Sequence, residues 1–205
     1  MKFCSGSRRL NDEGGILVRD KKMTKLSFIT SNPDKYREMK AFFEENELEL
    51  DWTRVSLPEL QADTLEEVVI HSLSQFNGDS VFVEDAGVFI DALGGFPGVY
   101  SRYVYDTVGN EGILKLMEGV ENRSARFEAV IGFKPLDGGD IKLFKGVVKG
   151  FVSLSPKGGK GFGYDPIFTP EGFKKTFGED ERVKSMVSHR KRAAEKLLQY
   201  LKRNL

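Results

Sequence analysis

The sequence predicts a mixed α/β fold: a twisted central sheet flanked by helices, in two lobes with a cleft between them. Three observations predict it. Short apolar strands alternate with helical patterns through the first half of the chain, in the order strand–helix–strand–helix–strand. Two long alternating segments joined by a turn signal follow, and these read as an antiparallel arm that makes the second lobe. The apolar run VFV at 81–83 leads straight into two adjacent carboxylates, Glu84 and Asp85, then the small pair Ala86-Gly87 and the loop GGFPG. Open α/β sheets build sites in the crevice beyond the carboxyl ends of their strands, so the stretch from Val81 to Val104 is the expected centre of the molecule.

Composition narrows the function classes. The chain has 205 residues, enough for one domain or two closely joined lobes. Lys+Arg and Asp+Glu both number 31, so there is no basic excess to argue for nucleic acid as a partner. A single cysteine, Cys4, excludes a disulfide within the chain and fits a reducing compartment. No apolar run approaches the roughly 20 residues needed to cross a bilayer, and the N-terminus has no apolar h-region. A cytoplasmic protein with no membrane partner is expected. Two histidines, His71 and His189, with one cysteine make a zinc site improbable on numbers alone. A metal here would be a hard one held by carboxylates, with magnesium the first choice.

Each element has its own justification. Residues 1–23 are rich in charge, Gly and Ser and carry little periodicity; they read as a poorly ordered N-terminal extension, with Met23 an alternative start and the folded domain spanning 24–205. LSFIT (26–30) is a strand. SNPDK then opens a helix, with Ser31 or Asn32 to cap it, Pro33 at its first position, and Met39, Phe42 and Phe43 as its apolar stripe. A strand feeding a helix N-terminus offers free N–H groups and the positive end of a dipole, which suits an anion. Lys35 in the first turn has the wrong charge for helix stability and makes sense opposite an anion. LELDWTRV (48–55) alternates as a strand, and LPELQAD is a loop carrying Glu59. TLEEVVIHSLSQF (64–76) is a helix with a Thr64/Glu67 capping box and an inward stripe of Leu65, Val68, Val69 and Leu73; His71 reads as a partly exposed helix residue.

Residues 106–120 read as one helix with Ile113, Leu114, Leu116 and Met117 inward. The segments 123–133 and 140–154 form the hairpin, with Gly146 and Gly150 expected at bends or bulges. SPKGGKGFGYDPIF (155–168) sets Phe162 and Tyr164 beside Asp165 in a Gly-rich loop. Aromatic rings are costly to expose, and flat rings beside a hydrogen-bonding acid suit a stacked base. The last helix, 189–203, is capped by Ser188 and faces the core with Ala193, Ala194, Leu197, Leu198 and Leu201. Lys184, His189 and Arg190 gather where it begins.

Four motifs in order, TSNPDK (30–35), FVEDAGVFIDALGGFPGVYSRYV (82–104), GFGYDPIF (161–168) and SHR (188–190), make the chain resemble the inosine triphosphate pyrophosphatase family over Leu26 to Leu201. That resemblance implies hydrolysis of non-standard purine nucleoside triphosphates (ITP, dITP, XTP) to the monophosphate and pyrophosphate, with Mg2+ as cofactor, by a homodimer. It implies that Thr30, Ser31, Asn32, Pro33, Asp34 and Lys35 cradle the triphosphate. Glu59 and Asp85 would hold magnesium, with Asp85 the proton acceptor for the attacking water. Phe162, Gly163, Tyr164 and Asp165 would line the base pocket, completed by Lys184, His189 and Arg190.

Three departures from the family pattern stand out. Ala86 replaces the usual Ser or Thr, at the cost of a contact worth about 0.5–1.5 kcal/mol, so weaker binding or slower turnover is expected. Lys191 replaces the usual Gly after SHR. The segment before Ser185 is about one residue short, which bears on Lys184. The alternative readings are a catalytically silent nucleotide-binding protein of the same fold, a Maf-type pyrimidine pyrophosphatase, which SNPDK and GFGYDPIF disfavour, and an RNA-binding module, which the zero net charge disfavours.

Overall fold

A computed structural model describes residues 26–56, 60–76, 80–135 and 139–204. The expected extension 1–23 and the metal candidate Glu59 lie outside the described residues. Among the described residues six strands form one mixed sheet: β1 (Leu26–Ile29), β2 (Leu50–Thr53), β3 (Val81–Ile90), β4 (Ser124–Lys134), β5 (Lys142–Val152) and β6 (Phe168–Pro170), ordered β2-β1-β3-β4-β5-β6. Strands β2, β1 and β3 run parallel; β3 through β6 are antiparallel neighbours. The helices are α1 (Pro33–Glu45), α2 (Leu65–Ser74), α3 (Ser101–Thr107), α4 (Gly109–Leu116), α5 (Glu181–Val187) and α6 (His189–Asn204).

The helix starts follow the capping chemistry of the sequence. Asn32 Oδ1 accepts from the backbone N–H groups of Asp34 (2.8 Å) and Lys35 (3.2 Å), with Pro33 first in the helix. Both halves of the Thr64/Glu67 box are made at α2. Ser188 Oγ accepts from Lys191 N at the start of α6. In α6 all five expected core residues are buried.

Three expectations need correction. First, β3 does not stop at the acids. It pairs with β4 from Val81↔Lys134 through to Ile90↔Ala125, so Glu84 and Asp85 lie mid-strand. What ends there is its other neighbour: β1 pairs with β3 only at Ser27↔Val81 and Phe28↔Phe82. Second, the helix expected over 106–120 is two helices broken at Val108–Gly109, where Gly109 takes φ +63°. The break rephases the stripe: Ile113 and Met117 are buried, whereas Leu116 is 53% exposed. Third, Gly146 and Gly150 sit in an unbroken ladder opposite Ala129 and Ala125, so neither marks a bulge.

Those two glycines serve close approach instead. A Cβ on Gly146 would lie 2.0 Å from His189 O and 2.5 Å from Ala193 N, so α6 rests directly on the strand. One on Gly150 would lie 2.3 Å from Thr169 O. Because backbone cannot yield as a side-chain tip can, Gly146→Ala should cost about 3 kcal/mol. That lowers the thermal midpoint by roughly 6–12 °C for a chain of this size, readable by circular dichroism.

The core of the described residues lies in three clusters. Along β3, alternate residues on one face run Phe82, Glu84, Ala86, Val88, Ile90. Phe82 belongs to a cluster with Phe28, Phe43 and the inward face of α6. Val88 and Ile90 belong to a second cluster with Val104, Ile113, Tyr164 and Phe168. Glu84 falls between them, and Ala86 packs against the first. The third cluster packs α2 on the opposite face, through Val69, Leu73 and Val83. The two lobes are therefore the two ends of one continuous sheet, and the hairpin contributes to both.

Candidate active site

The site lies where β3 loses β1 as a neighbour. Past Ile29 the chain turns through Thr30 and Ser31 into α1. Thr30 N donates to Thr53 O (3.2 Å), and Asn32 N donates to Thr30 Oγ1 (3.1 Å). Lys35, in the first turn, reaches across to β3. Its Nζ donates to the Glu84 carbonyl (3.2 Å) and lies 3.0 Å from Glu84 Oε2 and 3.5 Å from Asp85 Oδ1. The anion expected opposite Lys35 is thus, in the protein itself, a pair of carboxylates. Asp85 keeps 29% of its side chain exposed, and its carboxyl is pushed up by burial and by Glu84, with Lys35 pulling the other way.

From Glu84 an ion-pair chain runs through Arg190, Glu38 and Lys184 to Asp165. Arg190 Nε donates to Glu84 Oε1 (3.2 Å), and its Nη1 donates to Glu38 on α1. Lys184 Nζ pairs with Glu38 Oε1 and donates to Asp165 Oδ2, both at 2.6 Å. Asp165 also accepts from Phe162 N (2.7 Å), which closes the base-loop turn. Burial pushes Glu84 and Glu38 up, but the neighbouring cations more than offset it and leave both carboxyls low. Burial wins at Asp165, which is raised despite Lys184. Glu84 and Asp165 are almost fully buried, which is tolerable only because each has a cation against it.

The loop carrying Phe162 is held from several sides. Tyr164 donates its hydroxyl to Ser101 O (2.8 Å) and meets Tyr105 edge-on. Asn110, the second residue of α4, donates to Gly163 O (3.1 Å), so the helix break at Gly109 aims an amide at the loop. The Phe162 ring lies over Lys184 Nζ (4.1 Å) and near Arg190 (5.4 Å), a cation–π arrangement. His189 is buried, stacks on Phe127 at 4.6 Å, and leaves Nδ1 without a hydrogen bond. Burial and the adjacent Arg190, Lys184 and Lys35 hold its pKa well below the usual value, so it is neutral near pH 7.

One cavity of about 530 Å³ gathers these parts. Thr30, Ser31, Asn32, Pro33, Asp34 and Lys35 line it, with Asp85 and Ala86 from β3. So do Phe162, Gly163, Tyr164 and Asp165 from the loop and Lys184, His189 and Arg190 from the last two helices. Glu59 alone among the expected residues is not placed. Sequence reading missed Glu38, although it sits three residues after Lys35 and so shares its helix face. It also missed Phe127 and Tyr105, which line the cavity and carry no local signal, and it gave Ser101, inside the second motif, no role. Glu84 was noticed as an acid but given no part in the site. A second cavity of about 830 Å³ shares Thr30, Ser31 and Asp85 and has apolar walls that include Val55, Leu60 and Phe96.

A helix N-terminus and a cation at one end, and a ring-lined pocket floored by buried charges at the other, define an α/β protein with a nucleotide-shaped site. The chain belongs to the Ham1 family, whose sequence model matches residues 26–200. It is 46% identical over 185 residues to a dITP/XTP pyrophosphatase of Thermococcus kodakarensis, covering 88% of this chain and 99% of that one. It is 49% identical over 185 residues to a dITP/XTP pyrophosphatase of Pyrococcus horikoshii, covering 88% and 98%. The solved Ham1 protein of Staphylococcus aureus superposes with a TM-score of 0.73 at 27% identity, over 87% of this chain and 100% of that chain.

Proposed function

We propose that this protein hydrolyses ITP, dITP and XTP to the monophosphate and pyrophosphate, clearing non-standard purines from the nucleotide pool. The observation that carries the reading is that one cavity joins the α1 N-terminus, the acid Asp85 and the Phe162–Asp165 loop. In the reaction a water oxygen bonds to phosphorus, the α–β anhydride bond breaks and pyrophosphate leaves. Asp85, the acid with a cavity-facing carboxylate and a raised pKa, takes the water's proton. Lys35 and the positive end of the α1 dipole stabilise charge on the phosphates.

Magnesium fits the chemistry of this site. The network joins three cations, Lys35, Lys184 and Arg190, to four carboxylates, Glu38, Glu84, Asp85 and Asp165, and so carries no spare positive charge for a triphosphate. Asp85 offers a hard oxygen to the cavity. Among the described residues no cluster of three or more His, Cys, Asp or Glu is arranged to hold a metal unaided; magnesium usually keeps several of its waters and needs only one or two protein carboxylates. Asp85 and Glu59 would hold it. When bound it supplies charge neutralisation to the phosphates.

Base choice follows from donors. Lys184 and Arg190 can only donate, and each keeps N–H groups beyond those its carboxylates take. A 6-keto oxygen satisfies them; the 6-amino group of adenine would face donors and be rejected. Exposed Phe96, Tyr100, Tyr103 and Val108 around the second cavity support pairing with a second copy of the chain, to be read by light scattering. No helix among the described residues is long and apolar enough to cross a membrane, and we assign the activity to the cytoplasm on the single cysteine. The test is pyrophosphate release from ITP, XTP, GTP, ATP and dTTP, with and without magnesium. Magnesium-dependent release from ITP and XTP is expected. Binding of ITP without release from any triphosphate would instead make the chain a nucleotide binder.

A further inference from the structure

We propose that Trp52 is a positioning residue: with Tyr36 it forms an aromatic clamp that sets the turn from Thr30 to Lys35 for the triphosphate. The inference rests on the functional reading above and names a residue outside the cavity wall. Pairing between β1 and β2 ends at Ile29↔Thr53. The carbonyl of the next residue, Thr30, must therefore find a partner that the ladder no longer supplies. Trp52 supplies it: the indole Nε1 donates to Thr30 O at 2.8 Å. With Thr30 N already bonded to Thr53 O, the first residue of the turn is gripped from β2 through both backbone groups.

The same ring grips the far side of the turn. Tyr36, immediately after Lys35, stacks on Trp52 with centroids 4.4 Å apart and planes 13° apart, and its hydroxyl donates to Leu50 O (3.1 Å). One indole thus ties the residue that enters the turn to the first turn of the helix that leaves it. Between those points Thr30 Oγ1 and Asn32 Oδ1 accept the N–H groups of Asn32, Asp34 and Lys35, so the turn has little freedom of its own. Packing alone would not call for this residue. Trp52 is half-buried on the outermost strand of the sheet, where a phenylalanine would also give Tyr36 a ring to stack on. What phenylalanine lacks is the donor. The clamp touches only the phosphate end; the base loop and its cations lie on other elements. Its loss should therefore weaken the hold on the triphosphate and leave the choice of base alone.

Trp52 is the only tryptophan in the chain, so its emission reports on the clamp without a label. Wild-type protein is titrated with inorganic tripolyphosphate and with ITP in magnesium buffer, and ITP and ATP kinetics are compared for wild type and Trp52→Phe. A saturable emission change with both ligands is expected. For the variant, loss of one hydrogen bond gives a KM for ITP about 2- to 10-fold higher. Its kcat should change less, and the ITP-to-ATP ratio of kcat/KM should be unaltered. Wild-type emission that ignores tripolyphosphate and ITP overturns the clamp, whatever the activity. So does a variant with wild-type KM and only a lower melting midpoint, which is what a packing role predicts. Should the variant fail to fold, the wild-type titration still decides. A chain that answers tripolyphosphate but releases no pyrophosphate from ITP would overturn the hydrolase reading and support the clamp.

Discussion

Asp85→Asn is expected to lose about 10²- to 10⁴-fold in kcat for ITP, the usual worth of a positioned general base, while the protein remains folded and binds ITP. The amide has the shape of the carboxylate but cannot take the water's proton. Stability should move the other way. Burial raises the Asp85 carboxyl, as does Glu84 beside it, and an acid whose folded pKa lies above its unfolded one costs stability at neutral pH. Asp85 is also one of four carboxylates set against three cations, and Lys35 retains Glu84 when Asp85 is neutral. The variant should therefore melt at the wild-type temperature or above it. Such a trade, activity lost and stability kept or gained, marks a group held in place for function. Steady-state pyrophosphate release and a thermal scan on the same preparation decide the matter. Activity within about tenfold of wild type would move the proton acceptor to another residue.

Why the sequence led so directly to Asp85, and less directly to its surroundings, is a matter of range. Capping is local chemistry, so Asn32, Thr64 and Ser188 could be read from a few adjacent residues and stand where expected. The stripe of α6 could be read because a helix repeats over many residues. The end of β3 could not. A charged pair after an apolar run looks like a terminus, and only the length of β4, over forty residues downstream, carries the strand through to Ile90. The glycines of β5 misled for a related reason: a gap left for the backbone of α6 has the same letter as a bulge. Within the site, the residues that would touch substrate announced themselves by unusual company, as Phe162, Tyr164 and Asp165 did. Those that hold them did not. Glu38 looks like any exposed helix acid until α6 brings Arg190 against it, and Asn110 matters only because a helix breaks one residue earlier.

Arg190→Met should be the most destabilising of the changes considered, at about 3–5 kcal/mol, because it leaves buried charge without its partner. The Arg190 side chain is 4% exposed and its guanidinium bonds two carboxylates; the side chain of Glu84 has no exposure at all. Methionine fills similar volume, so the loss is electrostatic rather than a cavity. Acid should narrow the gap. In the wild type Glu84 is held low by Arg190 and Lys35 against its burial, so its contribution is present above the ordinary carboxylate pKa and is lost only as pH falls through its depressed one. Without Arg190, burial dominates and the folded pKa rises, so the variant regains stability as Glu84 takes up a proton. His189 pushes the same way. Its neutral form is favoured by burial and by Arg190, so the wild type loses stability as pH drops below the ordinary histidine value, and the variant, lacking that cation, loses less. Melting midpoints compared at about pH 8 and about pH 5 should therefore converge. Adding Glu84→Gln to Arg190→Met should recover part of the neutral-pH loss. A gap that stays constant with pH, with no recovery in the double variant, would mean that Arg190 supports the fold through packing and not by neutralising Glu84.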